Sequence, residues 1–145
     1  IRIRERGHIV LYVSSLTRSA HFYKKFLRFK ELHRDLHTAF FSAGRTHHEM
    51  LLIEVGGHPI EKAHPTPGLY HIGFKIGNTD EELKDALHEL SKHGVPVVGT
   101  ADHHVTHSVY ILDPDNNELE LYIDVDDSWK HDTKKLLQPA KRLSL

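Results

Sequence analysis

The sequence predicts an α+β fold made of two copies of one strand–helix–strand–strand–strand (βαβββ) module. Near-identical hydrophobic strands open at Gly7-His-Ile-Val-Leu-Tyr-Val13 and at Tyr70-His-Ile-Gly-Phe-Lys-Ile76, so His8 and His71 hold equivalent places 63 positions apart. Each strand is followed by a helix-like stripe and then by short extended segments, the sign of an internal repeat. Between the halves lies the breaker cluster Pro65-Thr-Pro67-Gly68. Half of such a chain has a helix on one sheet face and needs a partner for the other, which the second half provides. The expected organisation is a single domain, with modules at about 5–62 and 68–127 and a tail over 128–145.

The elements follow from periodicity. After strand 7–13, Leu16, Ala20, Tyr23 and Leu27 share one face of a helix expected over Leu16–Leu27. Extended segments are expected at about 29–34, 38–42 and 48–55. The second half has strand 70–76, then a helix opened by the capping-box pair Thr79 and Glu82. Its apolar stripe is Leu83, Ala86, Leu87 and Leu90, and Gly94 stops it. Strands at about 96–99, 107–112 and 118–124 complete it. The lysine-rich tail from Ser128, with the lone Trp129, is expected to form a helix packed on the outside or on a second subunit.

Composition narrows the function classes. The 145 residues are 39% apolar and 27% charged, which fits a globular protein. Nineteen Lys and Arg nearly balance twenty Asp and Glu, which speaks against nucleic acid as a partner. No apolar run is long enough to cross a bilayer and no signal-peptide pattern opens the chain, so neither a membrane nor export is expected. Cysteine is absent, which excludes disulfides and thiolate ligands and makes a cytoplasmic setting the expectation. Any metal must then bind through nitrogen and oxygen, and 15 histidines are available.

Strand parity sorts the candidates. In the first strand Ile9, Leu11 and Val13 oppose His8, Val10 and Tyr12. In strand 70–76, Ile72, Phe74 and Ile76 oppose His71, Gly73 and Lys75. In the last, Leu119, Leu121 and Ile123 oppose Glu118, Glu120 and Tyr122. Each strand thus has an aliphatic face for a helix and a mixed face bearing the ionisable residue. Two histidines and one carboxylate on mixed faces fit a 2-His-1-carboxylate metal triad, which leaves coordination positions open. Tyr12, Met50 and Leu52 are candidate pocket-wall residues.

These residues resemble the vicinal oxygen chelate superfamily of glyoxalase I, fosfomycin-resistance enzymes and extradiol dioxygenases, from about Gly7 to Asp124. Asp113-Pro-Asp-Asn-Asn-Glu-Leu-Glu120 resembles its Asp-Pro-Asp-Gly-Asn-x-x-Glu turn and strand, with Asn116 where the family has glycine. The resemblance implies an open, eight-stranded cupped sheet around one ion, with His8, His71 and Glu120 as metal ligands. Ala101-Asp-His-His-Val-Thr-His-Ser-Val-Tyr110 is similar to the Asp-His-Gly-Val-Ser…Tyr segment of catechol 2,3-dioxygenase-like members. That similarity implies His103 and Tyr110 as substrate-contacting residues, and His48, in Thr46-His-His-Glu-Met50, as the histidine beside the oxygen site. His104 replaces the family glycine and leaves open whether it or His103 faces the pocket; His47 competes less strongly with His48.

The activity implied is an extradiol ring cleavage of a catechol-type aromatic by O₂, with Fe(II) as the expected metal and Mn(II), Ni(II) or Zn(II) as others. Such chemistry asks for groups that accept diol protons and donate to developing charge on oxygen. One alternative is a glyoxalase-like isomerase or lyase with four ligands, His8, Glu54, His71 and Glu120, since Glu54 ends the strand that begins at His48. Another is a small-molecule (drug) binding protein without turnover. A homodimer is expected from single-domain relatives.

Overall fold

The computed structural model describes residues 1–61 and 64–145. Its described residues form two compact units: residues 1–61 with 114–116, and residues 64–113 with 117–145. Each carries one module in the expected order, and hydrogen bonding divides the eight strands into two four-stranded sheets.

In the first unit β1 (Ile9–Val13) leads into α1 (Leu16–Lys25), then β2 (Lys30–Arg34), β3 (Thr38–Ser42) and β4 (Met50–Glu54). The spatial order is β1-β4-β3-β2, with β1 parallel to β4 and the other pairs antiparallel. Leu11, Val13, Ala39, Phe41, Met50 and Leu52 are buried on the sheet face that meets Leu16, Ala20 and Tyr23 of α1. Ser15 caps α1 through its hydroxyl, which accepts from the Arg18 N–H. The helix ends earlier than its stripe suggests: Phe26 is the C-cap and Arg28 turns the chain at φ 56°, so Leu27 lies beyond the helix.

The second unit repeats this plan with β5 (His71–Gly77), α2 (Asp80–Lys92), β6 (Val97–Asp102), β7 (Thr106–Leu112) and β8 (Glu118–Asp124). The order is β5-β8-β7-β6, again with the first strand parallel to the last. Ile72, Leu83, Leu90, Val109, Ile111, Leu119, Leu121 and Ile123 form its core. The capping box is present: Thr79 accepts from the Glu82 N–H, and the Glu82 carboxylate accepts from the Thr79 N–H. Gly77 lies against it: a Cβ there would meet the Glu82 carboxylate and push it off its bonds.

The Asp-Pro-Asp turn is built from carboxylates that close the backbone. Asp113 accepts from the Asn117 N–H at 2.8 Å and its side-chain amide at 2.9 Å. Asn116 adopts φ 64°, the left-handed conformation that asparagine tolerates. Asp115 belongs to the first unit, where it accepts from the Ser14 N–H at 2.9 Å and from its hydroxyl.

The tail does not form the expected helix. It makes two short 3₁₀ turns, Ser128–Lys130 and Thr133–Leu137, and then an isolated antiparallel bridge from Lys141 to Asp102. Asp126 and Asp132 accept from the N–H groups of Ser128 and Lys134, local bonds that compete with a continuous helix. Among the described residues no helix is long and apolar enough to cross a membrane.

Candidate metal centre

The sheet of the second unit brings four expected residues together. Parallel register sets Gly73 opposite Glu120, and antiparallel register sets Tyr110 opposite Glu120 on its other side. Alternation then puts His71, Glu120 and Tyr110 on the face opposite the buried Ile72, Leu119 and Ile111. The mixed face read from the sequence is therefore the face away from α2.

On it, hydrogen bonds converge on one carboxylate. The Ser108 hydroxyl donates to Glu120 Oε1 at 2.6 Å, and the Tyr110 hydroxyl donates to the same oxygen at 3.2 Å. Since Tyr110 gives its proton to Glu120, its oxygen can accept from His103 Nε2, 2.7 Å away. Imidazole, phenol and carboxylate thus form a directed chain, with His103 as the Nε2–H tautomer. Burial, then the Glu120 charge, hold the Tyr110 phenol well above its ordinary pKa, so it stays a donor at neutral pH. Ser108, fully buried, is the residue that the sequence reading missed. Its signal was present: it shares strand parity with Tyr110, two positions on.

The other oxygen of Glu120 faces His71. His71 Nε2 lies 3.1 Å from Glu120 Oε2, while His71 Nδ1 is buried with no hydrogen-bond partner. Two donors at right angles on an ion about 2.1–2.2 Å away would be about 3.0 Å apart, so this pair fits neighbouring positions of one shell. The donor set, imidazole and carboxylate without thiolate, suits Fe(II), Mn(II), Ni(II) or Zn(II). Among the described residues no three His, Asp or Glu side chains converge as a complete cage.

The two adjacent histidines of β6–β7 have different fates. His103 turns inward to Tyr110, whereas His104 Nε2 lies 3.0 Å from the Pro139 carbonyl oxygen in the tail. His104 takes φ 69°, which explains why the family pattern has glycine there.

In the first unit His8 and His48 meet, with ring centroids 4.5 Å apart, and Phe40 lies edge-on to His48 at 5.3 Å. His47 also touches this pair, its Nδ1 2.6 Å from His48 Nδ1. Burial, then the neighbouring His47 and His8, lower the His48 pKa and favour its neutral ring.

Glu54 is placed differently from the four-ligand expectation. Ile9 pairs with Met50, Leu11 with Leu52 and Val13 with Glu54, which sets Glu54 on the α1 side of its sheet. There Glu54 Oε2 accepts from the Leu16 N–H at 2.7 Å, supporting the N-terminus of α1. The repeat-mate of Glu120 is Leu51, because Leu51 pairs with Val10 as Glu120 pairs with Gly73. The same register corrects the pocket wall: Met50 and Leu52 are fully buried in the core, while Tyr12 is exposed on the His8 side.

With this fold, the chain belongs to the glyoxalase/bleomycin resistance protein/dioxygenase superfamily, whose model matches residues 6–121. It is 32% identical over 127 residues to a catechol-2,3-dioxygenase of Bacillus subtilis, covering 87% of this chain and 44% of that protein. It is 30% identical over 119 residues to a biphenyl-2,3-diol 1,2-dioxygenase of Rhodococcus globerulus, covering 81% and 62%. The chain thus spans about half the length of the curated relatives it matches. Among solved structures, a glyoxalase/dioxygenase from Nostoc punctiforme aligns with TM-score 0.69 at 20% identity, over 85% of this chain and 92% of that one. The fosfomycin resistance protein FosX of Listeria monocytogenes, solved with Mn(II) and sulfate, aligns with TM-score 0.65 at 23% identity, over 86% and 95%. These structures share the fold; the superfamily includes dioxygenases and other enzymes, and members bind divalent metal.

Proposed function

We propose that the chain is a metal-dependent extradiol dioxygenase module that cleaves a catechol-type aromatic with O₂ in the cytoplasm, working as a homodimer with Fe(II). The observation that supports it most is the chain of His103, Tyr110 and Glu120 beside His71, together with relatives named as dioxygenases of aromatic diols. The proposed ligands are His71 and Glu120, with His8 as the third, the last resting on the family pattern. A divalent ion held there would supply Lewis acidity and open coordination positions.

The remaining work falls to the chain's own groups. His103 Nε2–H, already pointing at the Tyr110 oxygen, is placed to donate toward a diol oxygen seated over the carboxylate. The Tyr110 hydroxyl, kept protonated, would turn its proton from Glu120 to a substrate oxygen as the diol enters. Neutral His48 has a vacant ring nitrogen for an incoming proton and is the proposed base. A glyoxalase-like isomerase with Glu54 as fourth ligand is less well supported, since that carboxylate already holds the N-terminus of α1. The test is anaerobic loading with Fe(II), addition of a panel of catechols, admission of air, and measurement of oxygen uptake with the visible absorbance of a ring-fission product. Uptake of one O₂ per diol is expected; a metal-loaded protein inert toward the whole panel would end the proposal.

A further inference from the structure

We infer that the C-terminal segment over residues 139–143 is a strap that positions His103, with Asp102, His104 and Lys141 as the positioning residues. The inference rests on the reading of His103 as the pocket imidazole, but its geometry is independent of any reaction. The strap grips the chain immediately before and after His103. The Asp102 N–H donates to the Lys141 carbonyl at 3.0 Å, and the Lys141 N–H donates back to the Asp102 carbonyl at 2.9 Å. On the far side the His104 ring reaches the Pro139 carbonyl at 3.0 Å. His103 therefore sits between two anchors on the same strap, with its ring against the Tyr110 hydroxyl.

The side chains reinforce the backbone. Asp102 Oδ1 accepts from the His104 N–H at 2.7 Å, closing a small loop around His103. Asp102 Oδ2 lies 3.3 Å from Lys141 Nζ and 3.6 Å from His107 Nε2. His107 Nδ1 in turn lies 2.6 Å from Asp80 Oδ1, the first residue of α2, so the anchor is tied to the helix as well as the sheet. Leu143, buried at the end of the strap, seats it on the unit. The most telling residue is His104. Its φ of 69° is one that a side chain disfavours, and glycine would adopt it freely. A histidine here carries backbone strain and places an imidazole against the strap; it is, with Asn116, one of two positions where the family pattern has glycine. Substitution and contact coincide at one residue.

The experiment is a histidine side-chain ¹⁵N NMR measurement on the protein without metal, at neutral pH, which requires no turnover. Wild type should show His103 locked as the Nε2–H tautomer, with its signal assigned by loss in His103→Gln and shifted in Tyr110→Phe. Deleting residues 139–145 should move the His103 ring nitrogens toward tautomer-averaged shifts. It should also speed hydrogen exchange at the His103 N–H, which bonds Thr106 and not the strap, at least tenfold. His104→Gly should show the same shift in smaller measure, and His104→Gln, which restores a donor, should return it toward wild type. Should the deletion unfold the unit, His104→Gly and Lys141→Pro, which removes the N–H bonded to Asp102, carry the test. An unchanged His103 pattern in a folded deletion, or in both single variants, overturns the strap. An inactive but strapped protein would instead overturn only the dioxygenase proposal.

Discussion

Ser108→Ala probes the support of the proposed ligand Glu120 with little change in volume. The hydroxyl is fully buried and donates to Glu120 Oε1 at 2.6 Å, while the Glu120 side chain is only 15% exposed. A hydrogen bond to a charged group contributes about 1.5–3 kcal/mol, and an acceptor left short of its donor is costly. Tyr110 still donates to that oxygen at 3.2 Å, which sets the loss near the lower end, about 1.5 kcal/mol. That corresponds to roughly a tenfold change in an equilibrium constant. The carboxylate would be less well oriented, so affinity for Mn(II) should fall about tenfold, at the low edge of what lost ligand-supporting bonds cost. The assay is a Mn(II) titration at pH 7 read by the electron paramagnetic resonance of free ion. Affinity within twofold of wild type in the folded variant would refute the argument that Ser108 orients Glu120.

Two other outcomes follow from the geometry. Gly77→Ala should drive Glu82 off the Asn78 and Thr79 N–H groups it now holds at 2.7 and 3.0 Å, costing about 1 kcal/mol, seen as a drop of about 2–4 °C in a thermal melt; an unchanged melt would contradict it. Burial raises the Asp102 pKa, but the His104 N–H, Lys141 and His107 outweigh it and hold the carboxyl below its ordinary value. A lowered folded pKa means stability that is present above about pH 4 and lost as pH falls through the folded value, so Asp102→Asn should flatten the acid limb of a urea-midpoint-against-pH curve. Identical acid limbs in variant and wild type would remove Asp102 from that role.

The fold was legible because its signals are local and repeated. Alternation in 118–124 and 70–76 named the faces that Glu120 and His71 occupy, and Thr79 with Glu82 marked the start of α2 where it stands. What failed was register, which alternation in a single strand cannot reveal. Counting from His48 to Glu54 treated 48–55 as one strand, but β4 begins at Met50. Glu49 is drawn into the preceding loop, where its carboxylate accepts from the N–H groups of Ala43 and Arg45. Only the pairing of β1 with β4 shows that Met50, Leu52 and Glu54 face α1. The strap was invisible for a related reason: Lys141 meets Asp102 through a backbone bridge that leaves no mark on residue type, and their ion pair spans residues far apart in sequence. His103 and His104 could not be told apart because the turn reverses the chain between them, and φ at His104 decides which ring looks inward.

The most direct measurement is metal stoichiometry after Fe(II) or Mn(II) loading in His71→Ala, Glu120→Ala and Glu54→Gln. Glutamine at position 54 keeps an oxygen for the Leu16 N–H and so spares α1. Near-complete loss is predicted in the first two and one ion per chain in the third, as in wild type. Full occupancy in Glu120→Ala, or loss of the ion in Glu54→Gln, would contradict the assignment of the site.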